Sequence, residues 1–188
     1  MNKSSERFSC IILAGGEGKR VGGRDKGLIN YQGKPLVQHV INTVAAQCDD
    51  ILISANRNIK DYENYGYKVI SDAANHYLGP MAGIAATLPA CKNEQVLVVP
   101  CDMPLLPNNL IEKLSAGMKQ SGLCVAESES HFQLVFLINK NLLPSLLHSL
   151  QNNQLRLMQW LKSQHPSVVK FSDARYFKNF NHLEALLH

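Results

Sequence analysis

Three stretches of the 188-residue chain carry residue types that could do chemistry. The first is the loop from Leu13 to Lys26, with five glycines and four cations, Lys19, Arg20, Arg24 and Lys26. Glycines let backbone N–H groups close around a polyphosphate while the cations neutralise it. The second is a pair of aspartates, Asp72 and Asp102, each set just after a short apolar run, and the third is Asn56-Arg57 after a similar run. A single Asp in such a place commonly caps the next turn. Two of them beside a glycine loop point to a ligand site. A solvated surface loop shares the composition of 13–26, but a long glycine loop directly after the first strand of an α/β sheet stands where phosphate sites recur.

Two familiar phosphate loops do not fit. A P-loop needs G-x-x-x-x-G-K-[ST], whereas Gly18-Lys19 is followed by Arg20 and preceded at the required distance by Leu13. A dinucleotide fingerprint starting at Gly16-x-Gly18 would require a small residue where Val21 stands. Nor is there a metal cluster to read: the seven histidines are scattered, and none of the five cysteines (Cys10, Cys48, Cys91, Cys101, Cys124) forms a C-x-x-C pair. Cys101 adjoins Asp102 without a dedicated base in the sequence nearby and reads as a buried small hydrophobe. Trp160 reads as core.

These candidates must be positioned by an alternation of short apolar runs and longer helical patterns, the signature of an α/β protein. Strands are expected at 8–13, 51–54, 67–70, 96–99, 123–126, 132–138 and 167–171. Val96 to Val99 is apolar enough for a central parallel strand buried on both faces. Helices are expected from Pro35 to about Gln47, with Leu36, Val40, Ile41 and Val44 on one face, from Pro80 to about Leu88, from Pro107 to about Lys119, near 142–150 and 154–163, and at the C-terminus. In open α/β sheets ligands bind beyond the carboxyl ends of the strands. Ala14-Gly15-Gly16, Asn56-Arg57, Asp72 and Cys101-Asp102 all fall there.

Composition sets outer bounds. With 45% hydrophobic and 18% charged residues the chain is an ordinary globular protein, and its length suits one domain with a real core. A net charge of +4 without a block of like charges fits a small anionic substrate better than nucleic acid. No apolar run approaches the roughly 20 residues of a membrane span, so no membrane partner, a cytoplasmic location and reduced thiols are expected.

The run Leu-Ala-Gly-Gly-x-x-x-Arg-x-Gly-x-x-Asp-Lys-Gly from Leu13 to Gly27, followed by Gly33-Lys-Pro-Leu36, closely resembles the signature of the molybdenum cofactor guanylyltransferases, the MobA family. The likeness continues through Ala55-Asn-Arg57, Asp72, Leu78-Gly-Pro-Met-Ala-Gly83 and Pro100-Cys-Asp-Met-Pro104, covering most of 8–120. The second glycine of Ala14-Gly15-Gly16 and the Asp25-Lys26-Gly27 run point toward guanylyl transfer, since many cytidylyltransferase relatives read Ala-Ala-Gly there. Beyond 120 it thins: Asn179 and Asn181 match, His182-Leu183 replaces a Thr-Pro step, His131-Phe132 replaces His-Pro, and Ser54 stands where some relatives have Asn.

The resemblance implies a single-domain, three-layer Rossmann-like nucleotidyltransferase fold with a mostly parallel sheet, divided into a nucleotide-binding part of about 8–120 and a second-substrate part of about 121–188. It implies transfer of GMP from GTP to the terminal phosphate of molybdopterin, with Mg²⁺ as cofactor and pyrophosphate as leaving group. The implied catalytic residues are Arg20, Lys26 and Asp102, with Asp102 as metal ligand. Leu13, Ala14, Gly15, Gly16, Lys26, Ser54, Asn56, Asp72, Gly83 and Asp102 would bind the nucleotide, and Asn179 and Asn181 the second substrate. His131 is a further candidate from its place near the pterin-facing region. A monomer making transient contacts with other cofactor-biosynthesis proteins and recipient apoenzymes is expected. The alternatives are a related cytidylyltransferase or sugar- or alcohol-phosphate nucleotidyltransferase, and a non-catalytic module that delivers cofactor.

Overall fold

The computed structural model describes residues 6–16, 24–72 and 79–180. Its strands are β1 (Phe8–Leu13), β2 (Asn30–Tyr31), β3 (Lys34–Pro35), β4 (Asp50–Ser54), β5 (Lys68–Ile70), β6 (Gln95–Pro100), β7 (Leu123–Ser128), β8 (His131–Asn139) and β9 (Ser167–Lys170). Its α-helices are α1 (Leu36–Ala45), α2 (Ile59–Glu63), α3 (Pro80–Thr87), α4 (Leu110–Gly117), α5 (Leu143–Gln151) and α6 (Leu157–Ser163). All seven expected strands are present, as are the expected helices within the described residues. The C-terminal helix anticipated from the sequence falls on residues 181–188, outside them; the described approach to it is a 3₁₀ turn, Ala174–Phe177.

Seven strands form one sheet in the order β5-β4-β1-β6-β8-β7-β9, with β2 and β3 making a separate small hairpin. Within the seven-stranded sheet every pairing is parallel except those of β8, which runs against both β6 and β7. The sequence expectation for 96–99 is therefore corrected in one respect: the strand is central and buried, but parallel only to β1 and antiparallel to β8. A continuous apolar run reports burial on both faces and is blind to the direction of the neighbour.

Period-2 alternation splits the core into two layers. Cys10 and Ile12 of β1, Ile51 and Ile53 of β4, and Leu97 and Val99 of β6 pack with Val37, Val40, Ile41 and Val44 of α1 and Leu110 and Leu114 of α4. Ile11, Leu52, Val96 and Val98 point the other way, against Met81 and Ile84 of α3, Leu146 of α5 and Trp160 of α6. Burying a side chain of this size is worth roughly 1.5–3 kcal/mol, and both layers are continuous beneath the carboxyl ends of β1, β4 and β6. Those ends are thus a rigid floor. The hairpin turns at Gln32 and Gly33, both at positive φ (48° and 83°), as a tight two-residue connection requires.

Candidate active site

Beyond the floor the parallel ladder continues for one step and then stops. Ala14 N–H donates to Ser54 O at 2.8 Å, Cys101 N–H to Leu13 O at 3.0 Å and Ala55 N–H to Ile70 O at 3.0 Å. The backbone leaves the sheet at Gly15-Gly16. These ends, with the start of α3 and Leu134 of β8, line a cavity of about 230 Å³. Its walls include Leu13, Ala14, Gly15, Gly16, Lys26, Ser54, Asp72, Gly83 and Asp102.

Lys26 opens a 3₁₀ turn, Lys26–Leu28, capped by Asp25, whose carboxylate accepts the N–H of Gly27 at 3.2 Å. The turn brings Lys26 Nζ to 3.6 Å from Asp102 Oδ2, with both side chains largely shielded from solvent (22% and 13% exposed). Burial pushes the Asp102 carboxyl above its ordinary range, while the Lys26 ammonium and a backbone hydrogen bond pull it partly back. This is a carboxylate short of solvation at the wall of the cavity, and an added cation would relieve it. Cys101 beside it is buried, and desolvation together with the Asp102 charge raises its thiol well above the usual value. It is a protonated packing residue, as its sequence context suggested.

On the opposite side Asn56 is locked to the end of β5. Its Nδ2 donates to Asp72 Oδ1 at 2.7 Å, and its Oδ1 accepts from Ser71 Oγ at 3.0 Å and Asp72 N–H at 3.1 Å. Asp72 lines the cavity and Asn56 braces it from behind, 3.6 Å from where a Cβ on Gly15 would stand. Gly83 is fitted to its neighbour as well. A Cβ there would lie 2.5 Å from Ser54 Oγ, so α3 rests on β4 only because position 83 lacks a side chain.

Nine of the expected site residues thus share one cavity, and Asn56 supports it. Arg20 and Asn181 lie outside the described residues. Asn179 is exposed and not among the cavity's walls, yet its chain neighbour Phe180 donates its N–H to Asp102 O at 3.1 Å and packs its ring 4.5 Å from that of Tyr31. That tether brings the C-terminal segment to the site edge. His131 is exposed, its Nδ1 2.6 Å from Glu129 O, and is not a cavity wall. Trp160 is core, with Nε1 donating to Ser145 Oγ at 3.2 Å.

Gly79, Pro80 and Pro100, read from the sequence only as parts of longer motifs, and Leu134, read only as part of a strand, are further walls. Sequence reading also missed the environment of Asp25, whose side chain is only 3% exposed. An acidic residue between two cations, Arg24 and Lys26, was the available signal. Among the described residues no group of three or more His, Cys, Asp or Glu could hold a metal. The hard donors at the cavity are the carboxylates of Asp102 and Asp72, which fits Mg²⁺, an ion that takes one or two protein carboxylates and fills its shell with water and substrate phosphates.

A glycine turn, a lysine and an aspartate are gathered at the carboxyl ends of parallel strands, where open α/β sheets bind their ligands, and the same architecture is found among solved structures. It matches a solved nucleotidyl transferase from Methanothermobacter with a TM-score of 0.74, covering 95% of this chain and 93% of that one; at 17% identity the likeness speaks for the fold alone. Sequence goes further. A molybdenum cofactor guanylyltransferase of Polynucleobacter asymbioticus is 42% identical, with 97% of this chain and 96% of that protein covered. A protein of the same name from Shewanella putrefaciens is 38% identical, with coverages of 94% and 93%. With residues 10–168 matching the family model, the chain belongs to the MobA-like NTP transferase domain family and is a nucleotidyltransferase. Among the described residues no helix is long and apolar enough to cross a membrane.

Proposed function

We propose that the protein transfers GMP from GTP to the terminal phosphate of molybdopterin, releasing pyrophosphate and forming the guanine dinucleotide form of the molybdenum cofactor. The observation that carries this reading is the shielded Lys26–Asp102 pair at the rim of a glycine-walled cavity, in a chain whose relatives bear the guanylyltransferase name. A phosphate monoester is already anionic near neutral pH, so no Ser/His pair is needed to activate the nucleophile. An oxygen of the acceptor phosphate bonds to the α-phosphorus of GTP, the bond from that phosphorus to the β-phosphate bridge breaks, and pyrophosphate carries away the electron pair.

The protein's part is in-line positioning and neutralisation of like charge. Lys26 meets the α-phosphate, with Arg20 as its partner cation. Asp102 would hold Mg²⁺, which when bound offsets phosphate charge. Gly15 and Gly16 let the nucleotide approach the backbone, and carbonyls of 13–15 accept the N1–H and N2–H₂ donors of guanine. Asp72, oriented by Asn56, takes a base or ribose contact, and the absence of a side chain at Gly83 beside Ser54 keeps that wall low. Asn179 and Asn181 bind the second substrate. Residues 8–120 thereby form the nucleotide part of a single domain and 121–188 the acceptor part, working in the cytoplasm and passing the product on to recipient apoenzymes.

The test is pyrophosphate release with molybdopterin and each of GTP, CTP, UTP and ATP in turn. Release with GTP above the others is expected. Preference for CTP would make the chain a cytidylyltransferase, and tight GTP binding without turnover would make it a delivery module.

A further inference from the structure

Asp25 takes part in no step of the transfer, yet its carboxylate gathers donors from three parts of the chain. Tyr62 Oη donates to Oδ1 at 2.5 Å and Gly27 N–H to the same oxygen at 3.2 Å. Asn58 Nδ2 donates to Oδ2 at 3.1 Å, with Arg57 Nε 3.6 Å from that oxygen. Arg57 also reaches back along the chain, its Nη2 donating to Arg24 O at 2.8 Å. Tyr62 comes from α2 and is wholly buried. Desolvation, with the nearby Cys101 and Asp25 adding to it, raises its phenol well above the ordinary value, so the hydroxyl keeps the proton it donates.

Every one of these contacts falls on a residue that flanks Lys26. Arg24 and Asp25 are held on one side and Gly27 on the other. A Cβ at Gly27 would run into the Tyr62 hydroxyl and lie 3.2 Å from Cys101 Sγ, so the segment is pressed against α2 and the end of β6 with no room to retreat. A lysine ammonium on a four-carbon stem is otherwise a poorly aimed charge. Pinning the backbone on both sides restricts where Nζ can lie.

We propose that Asp25, braced by Tyr62, Asn58 and Arg57, is a positioning residue that sets Lys26 Nζ opposite Asp102 and thereby sets the rate of transfer. This rests on the role given to Lys26 above.

The experiment is a double-mutant cycle read by steady-state pyrophosphate release with GTP and molybdopterin, alongside melting temperature. Tyr62→Phe removes one hydroxyl and keeps the ring, and should lower kcat about tenfold. Asp25→Asn turns an acceptor of Asn58 and Arg57 into a donor facing donors, and should lower kcat on the order of 10²-fold, as expected for a charge displaced by about 1 Å. In both, KM for GTP should stay within roughly threefold. In a Lys26→Ala background the same two changes should cost nothing further.

Unchanged kcat in both variants, or losses that multiply in full with that of Lys26→Ala, would reduce the network to scaffolding and overturn the proposal. If Lys26→Ala itself turned over like the wild type, the role of Lys26 would be what fails. Should Asp25→Asn not fold, the cycle of Tyr62→Phe with Lys26→Ala decides alone.

Discussion

The sheet has two unlike halves. In β5-β4-β1-β6 the strands are parallel, and their carboxyl ends deliver Ile70 to Asp72, Ser54 to Asn56, Leu13 to Gly16 and Pro100 to Asp102 to one place. In β8-β7-β9 the direction of β8 is reversed, and of these strands only Leu134 reaches the cavity. Parallel strands bring all their C-terminal loops to the same edge, so one half gathers the cavity's polar side chains while the other supplies packing and a route for the chain back to Asp102 through Phe180. β7 and β9 run in the same sense as the parallel half, so it is their place beyond β8 in the strand order, together with the reversal of β8, that keeps them out of the cavity.

The sharpest way to break this comparison is Lys26→Ala. Deleting one aimed electrostatic donor typically costs on the order of 10²–10³ in rate, and the melting temperature should barely move, because the ammonium contributes little to the core. A variant that keeps its rate would remove the chemistry from the parallel half. An equal loss of stability would make Lys26 structural.

Asp102→Asn comes next. Losing an ionic contact worth roughly 1.5–3 kcal/mol should move half-saturation by Mg²⁺ upward by at least about tenfold. The same substitution has a second readout. Because burial raises the folded-state pKa of Asp102, the native protein favours its protonated form; that stabilisation is complete below the ordinary Asp value and is lost as pH rises through the raised one. The Asn variant does not titrate. Its melting temperature relative to the wild type should therefore be higher at neutral pH than in acid, and a pH-independent difference would contradict the burial argument.

The smallest effect belongs to the other half. Asn179→Ala on the exposed C-terminal segment should leave stability and KM for GTP unchanged and raise KM for molybdopterin severalfold, by roughly the 0.5–1.5 kcal/mol of a single hydrogen bond. Weakened GTP saturation instead would blur the division between the two halves.

Much of the parallel half was legible because its signals are local. A six-residue run, apolar but for Ser9, that leads to Gly15-Gly16, an apolar run ending at Asp102 and the face of α1 each need only a short window to read. The hairpin at 30–35 and the five-residue α2 were not anticipated, since two-residue strands and a single helical turn leave almost no periodicity to detect. The reversed direction of β8 was hidden because burial looks the same in either sense. Asp25 was hidden because its partners Asn58 and Tyr62 lie 33 and 37 residues away, and only the packing of α2 brings them close. What sequence could show of the site was the groups that line the cavity; what holds those groups in place emerged only from the fold.

Labelled GTP distinguishes transfer of a nucleotidyl group from transfer of a phosphoryl group. With the label in the α-phosphate, the account predicts that radioactivity appears in the pterin dinucleotide, and with the label in the γ-phosphate, that it leaves wholly as pyrophosphate. Transfer of the γ-label to the pterin, or release of the γ-label as inorganic phosphate with the α-label still in GDP, would contradict it.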